Sequence, residues 1–208
     1  MAVTHPDTGT SEQFAARELV RSWASSSSAV EAARAVERGD AEAWRGAYQG
    51  VAELGIFGVA LPEEHGGADG TVDDLCAMVD EAAAALVPGP VATTALATLV
   101  LGDAKLLEAL ASGERTAGVA LTADLHYADG TASGTAESVL GADQAGVLLL
   151  PAGEKWLVVD ATAVGVTVEP LKATDFTRPL ARVVLESAPA EVLDVSAQRV
   201  ADLAATVL

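Results

Sequence analysis

The sequence contains very little cysteine and histidine, which limits the sites it can form. Cys76 is the single cysteine among 208 residues, so the chain has no internal disulfide and no cysteine metal cluster. The three histidines, His5, His65 and His126, are far apart and show no metal-ligand spacing. We therefore expect no metal site.

Positive charge is also scarce. Twelve Lys and Arg residues stand against thirty Asp and Glu, for a formal net charge of −18. Between Arg45 and Lys105 there is no Lys or Arg at all. Such a surface repels phosphate backbones, so nucleic acid is excluded as a partner. The segment between those two residues cannot hold a phosphate with Lys or Arg side chains either.

Long apolar runs and common catalytic motifs are missing as well. No apolar segment is long enough to span a bilayer, and none follows a basic region as in a secretory leader. The motifs GxGxxG, GxxxxGK and GxSxG do not occur. The sequence therefore favours a cytoplasmic protein without a membrane partner, and it does not support a Rossmann, Walker or nucleophile-elbow site.

The first half of the chain has helical periodicity. Capping boxes are predicted at Thr10, Ser28 and Thr71, where Gln, Glu or Asp follows three residues later. Apolar residues recur every three or four positions after these caps, and Cys76 lies beside one such stripe, where we interpret it as core packing. We predict a helical domain over residues 1–114.

From Arg115 the pattern changes to period two and to short apolar runs separated by Gly, Asp and Pro. This pattern predicts an antiparallel sheet or small β-barrel or sandwich over residues 115–193. Helical periodicity returns over residues 194–208, and we expect this helix to begin a C-terminal helical domain that continues beyond Leu208. The predicted fold class is α+β.

The stretch LPEEHGGADG, residues 61–70, is the most conspicuous candidate site. His65 beside Glu63 and Glu64 resembles a general base with an orienting carboxylate. Adjacent residues on a turn seldom face one another, however, and the glycines suit a tight reversal. We therefore interpret the stretch as a turn between two helices.

Several segments, in this order, resemble the acyl-CoA dehydrogenase family from about Trp44 to Leu208. That family has an N-terminal helical domain, a middle β domain and a C-terminal four-helix domain. The most specific segment is AELGIFGVALPEEHGGADGTVDDLCAMVDEA, which resembles the family's helix, PEE-x-GG turn and helix. Three later stretches are similar to the segments that follow in the family: LVPGPVATTALATLVL, the middle strands and VSAQRVADLAATVL. The resemblance implies that residues 61–70 line the acyl pocket.

The resemblance implies α,β-dehydrogenation of an acyl-CoA, with FAD as cofactor and an electron-transfer flavoprotein or similar acceptor as partner. In this family a Glu carboxylate removes the α-proton and flavin N5 takes the β-hydride. That Glu belongs to the C-terminal domain, so we assign no catalytic residue here and expect the base downstream of Leu208. The closest similarity is to actinobacterial enzymes acting on steroid side-chain CoA thioesters, including large two-half forms.

The sequence departs from the family where the flavin is bound. The family's TEPGAGSD motif is replaced by LTADLHYADGTASG, in which Thr122 alone is a candidate cofactor-binding residue. A later Trp-containing motif of the family is replaced by ESVLG. Arg178 is a candidate phosphate or domain contact, whereas Trp156 is interpreted as sheet packing.

These departures leave alternatives. One is a degenerate scaffold that does not bind flavin and supports a catalytic dehydrogenase half or partner subunit. Another is an autonomous acidic binding module, which requires a genuine end at Leu208. If the chain is a piece of a dehydrogenase, we expect it to be inactive alone and to expose an apolar face near Val200, Leu203 and Val207.

Overall fold

The computed structural model describes residues 9–208, and His5 and the start of the predicted first domain lie outside them. Helices come first, strands second and one helix last, which confirms the α+β class. The helices are α1 Ser11–Ser26, α2 Ala29–Glu37, α3 Trp44–Glu53, α4 Val72–Ala84, α5 Val91–Val100, α6 Ala104–Ala111 and α7 Ala197–Val207. The strands are β1 Ala117–Ala120, β2 Asp124–Ala128, β3 Thr131–Leu140, β4 Val147–Ala152, β5 Lys155–Asp160, β6 Val166–Pro170, β7 Leu180–Pro189 and β8 Glu191–Val192.

Two of the three predicted capping boxes are present. Before α4, the Thr71 hydroxyl accepts from the amide of Asp74 at 3.1 Å, and the Asp74 carboxylate accepts from the amide of Thr71 at 2.8 Å. Thr10 and Gln13 form the same pair before α1. The box predicted at Ser28 is wrong, because its backbone is not extended and its side chain makes no cap hydrogen bond.

A buried polar bridge joins the helices to the sheet. Tyr48 on α3 donates its hydroxyl to Thr94 on α5 at 3.2 Å, and the Thr94 hydroxyl accepts from the amide of Ala117 on β1 at 3.1 Å. Burial raises the pKa of the Tyr48 phenol, so it stays a neutral donor. Trp44 and Phe57 pack on Tyr48 with ring centroids 5.3 and 5.1 Å away. The helical part and one face of the sheet therefore share a core, and a second core lies on the other face of the sheet.

The strands form one sheet in the order β6-β7-β3-β1-β4-β5-β8, with β2 paired to β3. Of the alternatives predicted for residues 115–193, the barrel is wrong, because β6 and β8 end the path without pairing to each other. The prediction of a wholly antiparallel sheet also fails at one place, since β1 and β4 run parallel. β1 and β4 lie in the middle of the sheet and are largely buried. β3 pairs with the other edge of β1.

Helix α7 lies against α5 and α4. The prediction of an exposed apolar face is therefore wrong: Val200, Leu203 and Val207 are buried in the core shared with those helices. The amphipathic period identified the apolar stripe of α7 correctly, but it did not show that the helices earlier in the chain cover this stripe.

Candidate functional site

A pocket of about 670 Å³ lies where the helices meet the sheet. It is bounded by α1, α4, the link from α4 to α5, the end of β3, residues 175–179 and the end of α7. Its apolar wall includes Leu86, Val87, Val91, Leu140 and Val207. A volume of this size and an apolar wall are typical of small-molecule sites.

Residues 175–179 are fixed to both parts of the fold. The amide of Gly89 donates to the carbonyl of Thr177 at 3.0 Å, and the amide of Gly141 donates to the carbonyl of Pro179 at 2.7 Å. Asp175 accepts from the Thr177 amide at 2.9 Å and from its hydroxyl at 2.6 Å. The backbone of this pocket wall is therefore positioned before any ligand arrives.

Two arginines are the cations among the residues lining the pocket. Arg17 on α1 forms ion pairs with Asp80 at 2.7 Å and with Glu81 at 3.6 Å on α4. Arg178 donates to the backbone carbonyl of Leu208 at 3.3 Å and is otherwise solvent-exposed. The predicted role of Arg178 at a phosphate or domain contact stays a prediction, and its place at the pocket allows either.

Cys76 is partly buried and lines the same pocket, so the interpretation as core packing describes only one side of it. Its thiol lies 3.8 Å from the carbonyl of Thr206. Burial, together with the nearby Asp73 and Asp80 carboxylates, raises the pKa of the thiol. The group is therefore a neutral wall residue and not an activated nucleophile.

The carboxylate–histidine stretch forms a separate feature. Glu63–His65 is a single 3₁₀ turn between α3 and α4, as the turn interpretation predicts. His65 Nε2 is 3.9 Å from Glu64 Oε1. His65 also lines a smaller cavity of about 340 Å³, together with Glu108 and Ser112. No residue of 61–70 lines the larger pocket, so their placement on that wall is not observed.

Thr122 lies on the exposed link between β1 and β2, and the structure does not bring it to the larger pocket. The middle of the stretch that replaces the TEPGAGSD motif forms β2. This strand pairs with β3 from Asp124 opposite Thr135 to Ala128 opposite Thr131. At Gly134, with φ of +128°, a Cβ would lie 2.1 Å from the carbonyl oxygen of Asp124. The two strands are thus in backbone contact, and residues 124–128 form a paired strand rather than an open loop.

Trp156 is buried, at 5% exposure, in the core shared by the helices and sheet, which agrees with its interpretation as packing. Within residues 9–208, no three His, Cys, Asp or Glu side chains are grouped so that they can hold a metal ion. None of the helices described there is both long and apolar enough to cross a bilayer.

Sequence reasoning did not identify Leu86, Ala83 or Leu140 as pocket residues. They lie on different elements that only the tertiary fold brings together. The sequence offers one indirect signal, the LVPGP break after α4, which places an apolar residue beside a forced turn.

Comparison with known proteins supports the resemblance. Acyl-CoA dehydrogenase FadE34 of Mycobacterium tuberculosis is 59% identical over 211 residues, which cover 97% of this chain and 30% of that protein. The Tcur3481-Tcur3483 steroid ACAD, solved as a variant, is 26% identical with a TM-score of 0.77, covering 93% of this chain and 60% of the other. An acyl-CoA dehydrogenase from Bacillus anthracis, solved with FAD, shares the fold at 20% identity and a TM-score of 0.77, covering 96% of this chain and 41% of that one.

The chain spans less than a third of the length of FadE34. The profile described as "Acyl-CoA dehydrogenase, N-terminal domain" matches residues 10–114, which is half of the sequence. The chain belongs to the acyl-CoA dehydrogenase family.

Proposed function

We propose that these residues supply the N-terminal helical domain (1–114), the middle β domain (115–193) and the first C-terminal helix (194–208) of a cytoplasmic, flavin-dependent acyl-CoA dehydrogenase. The reaction is the introduction of an α,β double bond into an acyl-CoA thioester. The main support is the apolar pocket of about 670 Å³ at the junction of helices and sheet, in a chain of this family. The pocket would hold the acyl group.

In this mechanism the chain binds, orients and shields the substrate. Leu86, Val87, Val91 and Leu140 offer an apolar wall that excludes water from the acyl group. The absence of Lys and Arg between Arg45 and Lys105 leaves α4 and α5 unable to hold the CoA phosphates by side-chain charge. We therefore orient the nucleotide end away from these helices.

The proposed catalytic base lies outside these residues, beyond Leu208. The carboxylates among the lining residues are Asp73, Asp80 and Asp175, and no glutamate is among them. Asp80 is paired with Arg17, and Asp175 accepts two hydrogen bonds from Thr177. Bound FAD would supply hydride acceptance at N5, and an electron-transfer flavoprotein or similar partner would take the electrons.

The proposed substrate class is a steroid side-chain CoA thioester. The support is the likeness to the Tcur3481-Tcur3483 protein, which is described as a steroid ACAD, at 26% identity and a TM-score of 0.77. The pocket volume is also large enough for a polycyclic group, since sites for drug-sized ligands span about 300–1,000 Å³.

A second candidate function is favoured by the pairing of β2 with β3. The stretch that would cradle the flavin is held in a hairpin, so this half would be a scaffold that supports a flavin-binding half or subunit. Under this proposal Thr122 has no cofactor role. Under the first proposal, Thr122 offers its hydroxyl to the flavin edge.

The FAD content of the full-length protein separates the two candidates. If the whole protein has two dehydrogenase-like halves, we expect one FAD per polypeptide when this half is a scaffold and two when both halves bind flavin. The measurement is the flavin absorbance after denaturation, divided by the polypeptide concentration from amino-acid analysis. Thr122→Val serves as the site test: a loss of one FAD per polypeptide would contradict the scaffold proposal.

A further inference from the structure

The end of α4 has a backbone conformation that its residue type disfavours. The amide of Leu86 donates to the carbonyl of Ala83 at 2.9 Å, and that of Val87 donates to Ala82 at 3.0 Å. These two bonds define a Schellman motif, in which the residue after the cap is left-handed and is usually glycine. Here that residue is Leu86, with φ of +57°.

Leu86 differs from the other residues of this kind. Within residues 9–208, the remaining non-glycine residues with positive φ are Asp69, Asp129 and Ser187, all short and polar. Asp tolerates the left-handed region because its side chain hydrogen-bonds locally. A leucine has no such compensation, and its Cβ opposes the conformation.

Burial does not offset this strain. The Leu86 residue is 49% exposed, whereas its neighbour Val87 is 6% exposed and belongs to the core. The exposed part of Leu86 lines the pocket of about 670 Å³, beside Val87 and Pro90. Strained residues cluster at ligand sites, where the surrounding structure holds them in place. An apolar side chain held under strain at a pocket wall is thus available to contact a ligand.

We infer that Leu86 is a specificity-determining residue that contacts the bulky apolar part of the acyl group; this inference rests on the proposed function. Glycine would relax the backbone but remove the contact. A short acyl chain does not fill a pocket of this size, so Leu86 discriminates in favour of large, polycyclic acyl groups over short ones.

The test compares Leu86→Ala and Leu86→Gly with the wild type in the full-length protein, using the CoA thioester of a tetracyclic steroid acid and butyryl-CoA as probes. Leu19→Ala is the matched control, because Leu19 is 46% exposed on α1 and is not among the lining residues. Losing the contact of half a leucine side chain should raise KM for the steroid thioester about fivefold to tenfold.

We expect KM for the steroid thioester to rise several-fold more than KM for butyryl-CoA, and kcat to change less than the steroid KM, because the contact is mainly uniform binding energy rather than transition-state stabilisation. The melting temperature of Leu86→Gly should equal or exceed that of the wild type. An unchanged steroid KM in both variants would overturn the inference. So would a fall in melting temperature with both KM values rising together, which indicates a packing role.

Calorimetric titration with the steroid thioester keeps the test independent of turnover. A wild-type protein that binds this thioester but oxidises neither probe contradicts the proposed function, while the ratio of Kd values still decides the role of Leu86. A wild-type protein that does not bind the thioester contradicts both. Wild-type turnover with unaffected Leu86 variants contradicts this inference alone.

Discussion

Replacing Gly67 by Ala is expected to destabilise the protein strongly, by about 3 kcal/mol of unfolding free energy. A Cβ on Gly67 would lie 2.0 Å from the carbonyl oxygen of Leu61. That oxygen is backbone and already accepts from the amide of Asp69 at 2.9 Å, so it cannot move aside without breaking the turn. The glycine is therefore needed for close backbone approach.

Gly66→Ala is the matched control for this substitution. Gly66 has φ of +76°, but no atom lies within 4 Å of the position that a Cβ would take there. Its cost is the left-handed conformation alone, which we expect to be about 1 kcal/mol. Urea unfolding of both variants, followed by tryptophan fluorescence, measures the difference. Equal losses of stability in the two variants would contradict the close approach of residues 61 and 67.

The second large effect concerns activity rather than stability. Ala83→Trp is expected to lower kcat/KM for a bulky acyl-CoA by about a hundredfold, because displacing a substrate by about 1 Å has effects of this size. Ala83 is exposed on α4 and lines the pocket, so an indole there occupies the space proposed for the acyl group. The measurement is steady-state turnover by the full-length protein.

Ala84→Trp controls for the addition of a large side chain to the same helix. Ala84 is also exposed, one position further along α4, but it does not line the pocket. We expect its kcat/KM to stay within about threefold of wild type, since surface substitutions rarely perturb a folded protein by more than about 0.5 kcal/mol. Equal activity of the two variants would place the acyl group elsewhere.

The helical part was largely predictable, because its signals are local. A Thr or Asp cap and an apolar stripe are recognised from residues three and four positions apart, as at Thr71 and Asp74. The capping box predicted at Ser28 does not form, because an N-cap residue also needs an extended backbone, which its residue type does not determine. The resemblance to the family also rested on local sequence motifs, above all residues 61–70 and the helices that flank them.

The sheet topology was less predictable. Period-two runs show which strands have a buried face, but not which strands are neighbours. β1 pairs with both β3 and β4, and its parallel pairing with β4 joins segments that are separated by the hairpin of β2 and β3. Closure into a barrel depends on whether the two edge strands meet, and the hydrophobic pattern does not contain that information.

The pocket was not predictable from the sequence. Its wall joins residues that are far apart in the chain, such as Arg17, Leu86 and Arg178. Their proximity depends on backbone hydrogen bonds between loops, including the bond from Gly89 to Thr177. The burial of α7 has the same origin, since α5 and α4 cover it only in the folded chain.

The most direct test of the central proposal is product analysis by mass spectrometry. The full-length protein would be incubated with FAD, an artificial electron acceptor and the CoA thioester of a tetracyclic steroid acid. We predict a product lighter by two hydrogens, with an α,β double bond, that is absent without the protein. A protein that carries bound FAD but leaves both this thioester and butyryl-CoA unchanged would contradict the proposed dehydrogenase activity.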